Sequence, residues 1–184
     1  RVHFVDAPVV GLAQGENPGK DMRGHLWNAV FKIHRYAVDY PAFAGRDLTG
    51  TDFGGCDLSG ARFDGAVLSR ARFVAASLRL ASLLSVRAER CDFSDADLSG
   101  AMMLGARLEG ASLVGSIARP MEIRRADGTP AGKRTATSFA NASLVGADLR
   151  AADLRSALFN GADLRGANLA GAFLANADLT GTRR

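Results

Sequence analysis

Three histidines, two cysteines and a recurring series of aspartates are the residues whose chemistry could build a site in this 184-residue sequence. His25 and His34 stand nine apart, so a helix would not bring them into adjacent turns as a metal-binding i, i+4 pair requires, and His3 is remote from both. Core or capping roles are expected for all three. No His-Glu-x-x-His, Gly-x-Ser-x-Gly, phosphate-loop or paired-cysteine spacing is present. Asp47, Asp52, Asp57, Asp92, Asp97, Asp148, Asp153, Asp163 and Asp178 recur at one place in a repeating block. They are expected to face solvent on different sides, which denies them the pairing that general acid and base catalysis needs. The sequence therefore reads as non-enzymatic, with no catalytic residue, cofactor-binding residue or metal ligand assigned.

The block that carries the aspartates is five residues long. Ala162 to Gly181 reads ADLRG, ANLAG, AFLAN, ADLTG, and upstream a large apolar residue recurs with the same period from Phe43 through Leu48, Phe53, Leu58, Phe63, Leu68 and Phe73 to Leu113, then from Phe139 to Leu179. Two residues before most of them sits a small residue, such as Ala61, Ala66 or Ala71, with Cys56 and Cys91 as substitutes. A period of five scatters large residues around an α-helix and alternates them across a strand. It suits a chain that turns a corner every five residues, so that four blocks close a square coil of 20 with one large and one small side chain pointing inward from each side. Phe53, Phe73 and Phe93 are 20 apart, as are Phe43 and Phe63, and Phe139 and Phe159. They are expected to stack in columns. Cys56 and Cys91, seven blocks apart, fall on different sides and nearly two coils apart in height, too far for a disulfide.

These A-[DN]-L-x-G blocks resemble the pentapeptide repeat family, over about residues 41–116 and 137–182. The resemblance implies an all-β solenoid, a right-handed quadrilateral β-helix, here of about six coils. It also implies non-enzymatic roles, among them DNA mimicry that protects gyrase from quinolones.

Outside the repeat, residues 1–40 read as an arm followed by a helix. Pro8, Gly11, Gly15, Pro18 and Gly19 give a loop composition, whereas Met22, Leu26, Val30, Ile33 and Ala37 form an apolar helical stripe ending before Pro41. That helix is expected to cap the first coil, with Trp27, Phe31 and Tyr40 packing there. Residues 41–184 are the β-helix, interrupted by an inserted loop at about 117–136. Its Met121-Glu122-Ile123-Arg124 and Asp127-Gly128 suggest a short hairpin. The loop carries Arg119, Arg124, Arg125, Lys133 and Arg134 against Glu122 and Asp127. On the side that holds Leu83 and Met103, the outward residues Leu84, Met102 and Leu104, with Leu158 further along, form an apolar column that is atypical of such a rod. Two readings stay open: a partner contacts the column, or Met121 and Ile123 fold back over it. The candidate partner-binding residues are Leu84, Met102, Leu104, Leu158, Arg124, Arg125, Lys133 and Arg134.

The repeats run into Gly181-Thr182-Arg183-Arg184 without a helix, so the last coil is expected to need covering by a second copy in a homodimer, by a partner or by further sequence. No apolar stretch reaches the 18 residues of a membrane span, and the compartment stays open with the cytoplasm as default. The net charge is +4 overall, and residues 41–184 carry 18 basic against 15 acidic side chains. A mimic of DNA needs a dominantly acidic rod, so the sign favours a rigid scaffold that binds a protein partner or serves in a larger assembly, with the gyrase-protecting DNA mimic as the alternative. Sequence-specific nucleic acid binding is not expected.

Overall fold

The computed structural model describes residues 43–125 and 127–184. The arm and capping helix expected at residues 1–40 lie outside them. From Phe43 onward the chain repeats one unit. Parallel bridges join Asp47 to Val67, Val67 to Arg87 and Arg87 to Arg107, and three further columns begin at Asp52, Asp57 and Arg62. Partners in a column are 20 residues apart and the columns start five apart, so each coil has four sides. These are named below by their first central residues: Phe43, Leu48, Phe53 and Leu58.

Backbone hydrogen bonding explains why five residues make one side. In the block around Phe53, Phe53 N–H and Gly55 N–H donate to Arg72 O and Val74 O of the next coil, at 2.7 and 2.9 Å. Cys56 N–H turns back to Phe53 O at 3.1 Å and closes the corner. In the coil below, Arg72 N–H returns a bond to Thr51 O at 2.9 Å. Only the N–H one residue after the central position lacks a backbone acceptor. Asp52 Oδ1 takes that bond from Gly54 N–H at 2.8 Å, and Asp47, Asp57, Asp92, Asp97 and Asp178 do the same in their blocks. This side-chain cap on a tight turn is the role of the aspartates. The corner residue itself sits near φ +55° to +73°, which favours glycine, as at Gly55 and Gly60.

Inside, Phe53, Phe63, Leu68 and Leu98 are fully buried, with alanines such as Ala61 and Ala96 filling the corners between them. Phe43 stacks on Phe63 and Phe53 on Phe73, each with ring centroids 4.7 Å apart, while Phe53 meets Phe63 edge-on at 5.9 Å. Phe139 stacks on Phe159 at 4.9 Å in the second run. Cys91 occupies a small-residue place and its thiol donates to Ala71 O at 3.1 Å; burial pushes its pKa well up. The core loosens at the far end, where Leu169, Leu174 and Leu179 are only partly buried.

One interruption breaks the spacing. Met102 bridges Ser138 and Arg107 bridges Ser143, 36 apart instead of 20, so 16 residues leave the coil. They form an antiparallel hairpin, β1 (Met121–Arg124) and β2 (Pro130–Thr135), with Met121 opposite Thr135 and Ile123 opposite Lys133.

Because Phe63 stacks on Phe43 and meets Phe53 and Phe73 edge-on, Phe63→Ala should cost about 3–5 kcal/mol. The outward Ser77→Ala should stay within about 0.5 kcal/mol. Urea unfolding of both variants reads the difference directly.

Candidate interaction surface

The hairpin leaves the rod at the corner between the Leu58 side and the Phe43 side. In a regular coil Pro120 would be followed by the residue that Thr137 supplies, since Ala118 and Phe139 both keep their inward places. Three contacts seat the base. Gly100, one coil above Pro120, has no side chain, and a Cβ there would lie 2.8 Å from Leu80 Cδ2, 2.9 Å from Thr135 Cγ2 and 3.2 Å from Met121 Cβ. Glycine therefore makes the room into which β1 and β2 pack. The buried Thr137 hydroxyl donates to Leu98 O at 2.9 Å and accepts from Gly100 N–H at 3.0 Å, carrying the coil-to-coil bonding across the break. Arg119 reaches Asp153 one coil below, Nε to Oδ2 at 2.6 Å.

Asp153 is the one strongly perturbed carboxylate here. Arg155 donates to both its oxygens at 2.8 and 2.7 Å, burial opposes ionisation, and Arg119 adds a further hydrogen bond; together they lower its pKa to about 2. Asp148 and Asp163 are likewise lowered, first by hydrogen bonds from Arg150 and Arg165, which reach back two residues to pair at 2.7 Å. The carboxylates of Asp148, Asp153 and Asp163 are thus occupied twice, by a backbone N–H and by an arginine. They do not form a free acidic strip.

The expected surface residues fall into two groups. Met102 and Leu104 are 43% and 45% exposed, Leu158 is 36% exposed and Leu84 is half-buried, all on the Phe43 side. The register places Met102, Ser138 and Leu158 in one column, so Leu158 stands two coils from Met102 with a serine between. Arg124, Arg125, Lys133 and Arg134 are exposed on the hairpin. Arg124 and Arg125 are turned onto their own tip, donating to Gly128 O and Pro130 O at 3.0 and 2.8 Å. Among the described residues no carboxylate lies within ion-pairing distance of Lys133 or Arg134. The fold-back of Met121 and Ile123 over the apolar column is not what the structure has. Met121 packs instead at Gly100 and Leu80, and Ile123 is itself exposed.

Sequence reasoning passed over Leu80, Gly100 and Thr137, which seat the hairpin, and Phe173, 59% exposed on the Leu58 side. In sequence Gly100 reads as an ordinary corner glycine, and only its contacts set it apart. Among the described residues no three histidine, cysteine, aspartate or glutamate side chains converge to hold a metal, and no helix is long and apolar enough to cross a membrane.

Eight copies of the family described as pentapeptide repeats match residues 47–83, 87–119, 135–168 and 157–183. The chain belongs to the pentapeptide repeat family. Its solved relatives include HetL, a pentapeptide repeat protein involved in heterocyst differentiation regulation in the cyanobacterium Nostoc, at 29% identity and TM-score 0.54, covering 78% of this chain and 70% of HetL. QnrB1, a plasmid-mediated fluoroquinolone resistance protein, is 22% identical over 79% of this chain and 87% of that one, with TM-score 0.38. Rfr23 of the cyanobacterium Cyanothece is 23% identical over 68% and 69%, with TM-score 0.31. No curated protein matches. The family model and HetL indicate no catalytic family, and the pentapeptide repeat β-helix is the architecture that HetL shares with this chain.

The Arg119–Asp153–Arg155 cluster makes an acid test of the hairpin seat. With a folded pKa of about 2 against an ordinary 3.8, Asp153 contributes stability that is present above about pH 4 and lost as pH falls towards 2. Asp153→Asn should melt lower than the parent at pH 6, and the gap should narrow steadily as melting is followed down to pH 2.5.

Proposed function

We propose that this pentapeptide repeat protein is a non-enzymatic scaffold that presents its hairpin and the adjoining apolar column to a protein partner. The observation that carries this reading is the coincidence of two departures from the repeat at one corner: a seated, basic hairpin, and a run of apolar residues at outward places that most of the rod fills with Asp, Ser or Arg. A seated projection differs from a loose loop, because glycine room, a threonine bridge and an ion pair all fix its base. HetL, the 29% identical relative, is described as a participant in regulation, which suits a module that acts by contact. DNA mimicry is the weaker reading. Residues 41–184 are net basic, and the carboxylates that could imitate phosphates are capped or paired. A homodimer through the last coil, whose Leu169, Leu174 and Leu179 are only partly buried, is compatible with the scaffold and is not needed by it.

The experiment exploits the register of the break. Removing Met121–Ala136 and changing Pro120→Gly restores an uninterrupted series of blocks, with a corner residue suited to positive φ. That variant should keep its melting temperature within a few degrees while losing capture of the physiological partner, and the serine triple variant at Leu84, Met102 and Leu104 should weaken the same capture. Retention of the partner by both variants would overturn the proposal. In a supercoiling assay at micromolar protein, gyrase should be neither inhibited nor protected from fluoroquinolone; protection would establish the mimic instead.

A further inference from the structure

We infer that the Phe43 side beside the hairpin takes an acidic amphipathic helix of the partner, with its apolar stripe on Leu84, Met102, Leu104 and Leu158 and its carboxylates towards the basic hairpin. This deepens the scaffold reading and rests on it. The floor is the Phe43 side between two charged ends, Arg62 with Asp64 above and Asp178 below. Between them every outward position is Ser, Leu, Met, Ala or Asn. The hairpin stands at the edge of this floor, for Gly100, under Met121 and Thr135, is two residues from Met102.

Size selects the kind of occupant. From the Leu84 coil to the Leu158 coil is three steps of about 4.8 Å, or roughly 14 Å, and one side of the rod is about 10 Å wide. A flat face of that extent falls far below the about 800 Å² per partner that a standard interface buries, which disfavours a second rod laid flat against it. An α-helix is about 10 Å across and rises 1.5 Å per residue, so about nine or ten residues fill the floor, and its 5.4 Å turns run close to the step of the coils. Apolar residues at i, i+3 or i+4 and i+7 then meet successive coils, and the hairpin forms a wall beside them.

The hairpin selects negative charge on that helix. Lys133 stands exposed on β2 with no carboxylate at ion-pairing distance among the described residues, Arg134 lies across the strands from Glu122, which pairs with Arg124 instead, and Arg125 adds to the excess of positive charge.

The probes are three synthetic 16-residue helical peptides with identical apolar positions and Glu, Gln or Lys at the polar ones, measured by fluorescence anisotropy against the full chain. The Glu peptide should bind at least about tenfold more tightly than the others, and more weakly as salt rises. Leu104→Ser, checked as folded by circular dichroism, should abolish that binding. The double variant Lys133→Glu and Arg134→Glu should reverse the preference in favour of the Lys peptide. Equal binding of the three peptides, insensitivity to Leu104→Ser, or no binding at all overturns the inference. So does a sedimenting dimer that Leu104→Ser dissociates, since a second copy would then own the floor. If the peptides fail while the hairpin-excised chain still loses its natural partner, the helical occupant alone is wrong; if that chain keeps its partner, the scaffold reading falls instead.

Discussion

Every block of five residues has to find acceptors for five backbone N–H groups, and four of them find carbonyls without help. Two donate down the rod, one donates up, and one closes the corner, as the bonds around Phe53 show. The fifth has no backbone acceptor, and an aspartate or asparagine before the large apolar residue supplies one, as at Asp52, Asp97 and Asn168. That explains why aspartate recurs at this place, although blocks such as those of Arg72 and Arg107 hold together without the cap. It also explains the surface. An aspartate committed to its own turn and then paired to the arginine two positions on, as at Asp148, Asp153 and Asp163, presents little free charge to a partner.

The coil was legible in the sequence because its inward residues obey a strict period of five. Leu98, Phe93 and Ala96 could be placed without coordinates, and so could the 20-residue stacking of the phenylalanines. The aspartates were legible as a pattern but not as a function, since a five-residue period says where a side chain recurs and not which donor it meets. The hairpin seat was hidden for a different reason. Gly100 is a corner glycine like Gly50 or Gly110 in sequence, and only its contact distances distinguish it. Arg119 and Asp153 stand 34 residues apart, and Thr137 bonds Leu98 across 39, spacings that no short-range rule connects.

What makes the Phe43 side a candidate surface is its apolarity. Met102, Leu104 and Leu158 put exposed hydrocarbon at places where most blocks hold a polar or charged residue, and so change what the rod displays beside the hairpin. The neighbouring hairpin is the opposite kind of exception: it adds chain without disturbing any block on either side.

That last property follows from how the coils are joined. Ser138 bonds to Ala101 and Met103 on either side of Met102, and Ser143 to Ala106 and Leu108 on either side of Arg107, so the coil before the hairpin and the coil after it hold each other through the same bonds as any other neighbours. The covalent path through β1 and β2 is a detour that the assembly does not depend on. A chain severed at the hairpin tip, between Arg125 and Thr129, is in effect two complementary fragments whose cut ends already face solvent and whose mating surfaces are complete sides of a square. The molecule thus carries within one polypeptide the layout of a split protein, with its natural point of division at the place where it reaches outward.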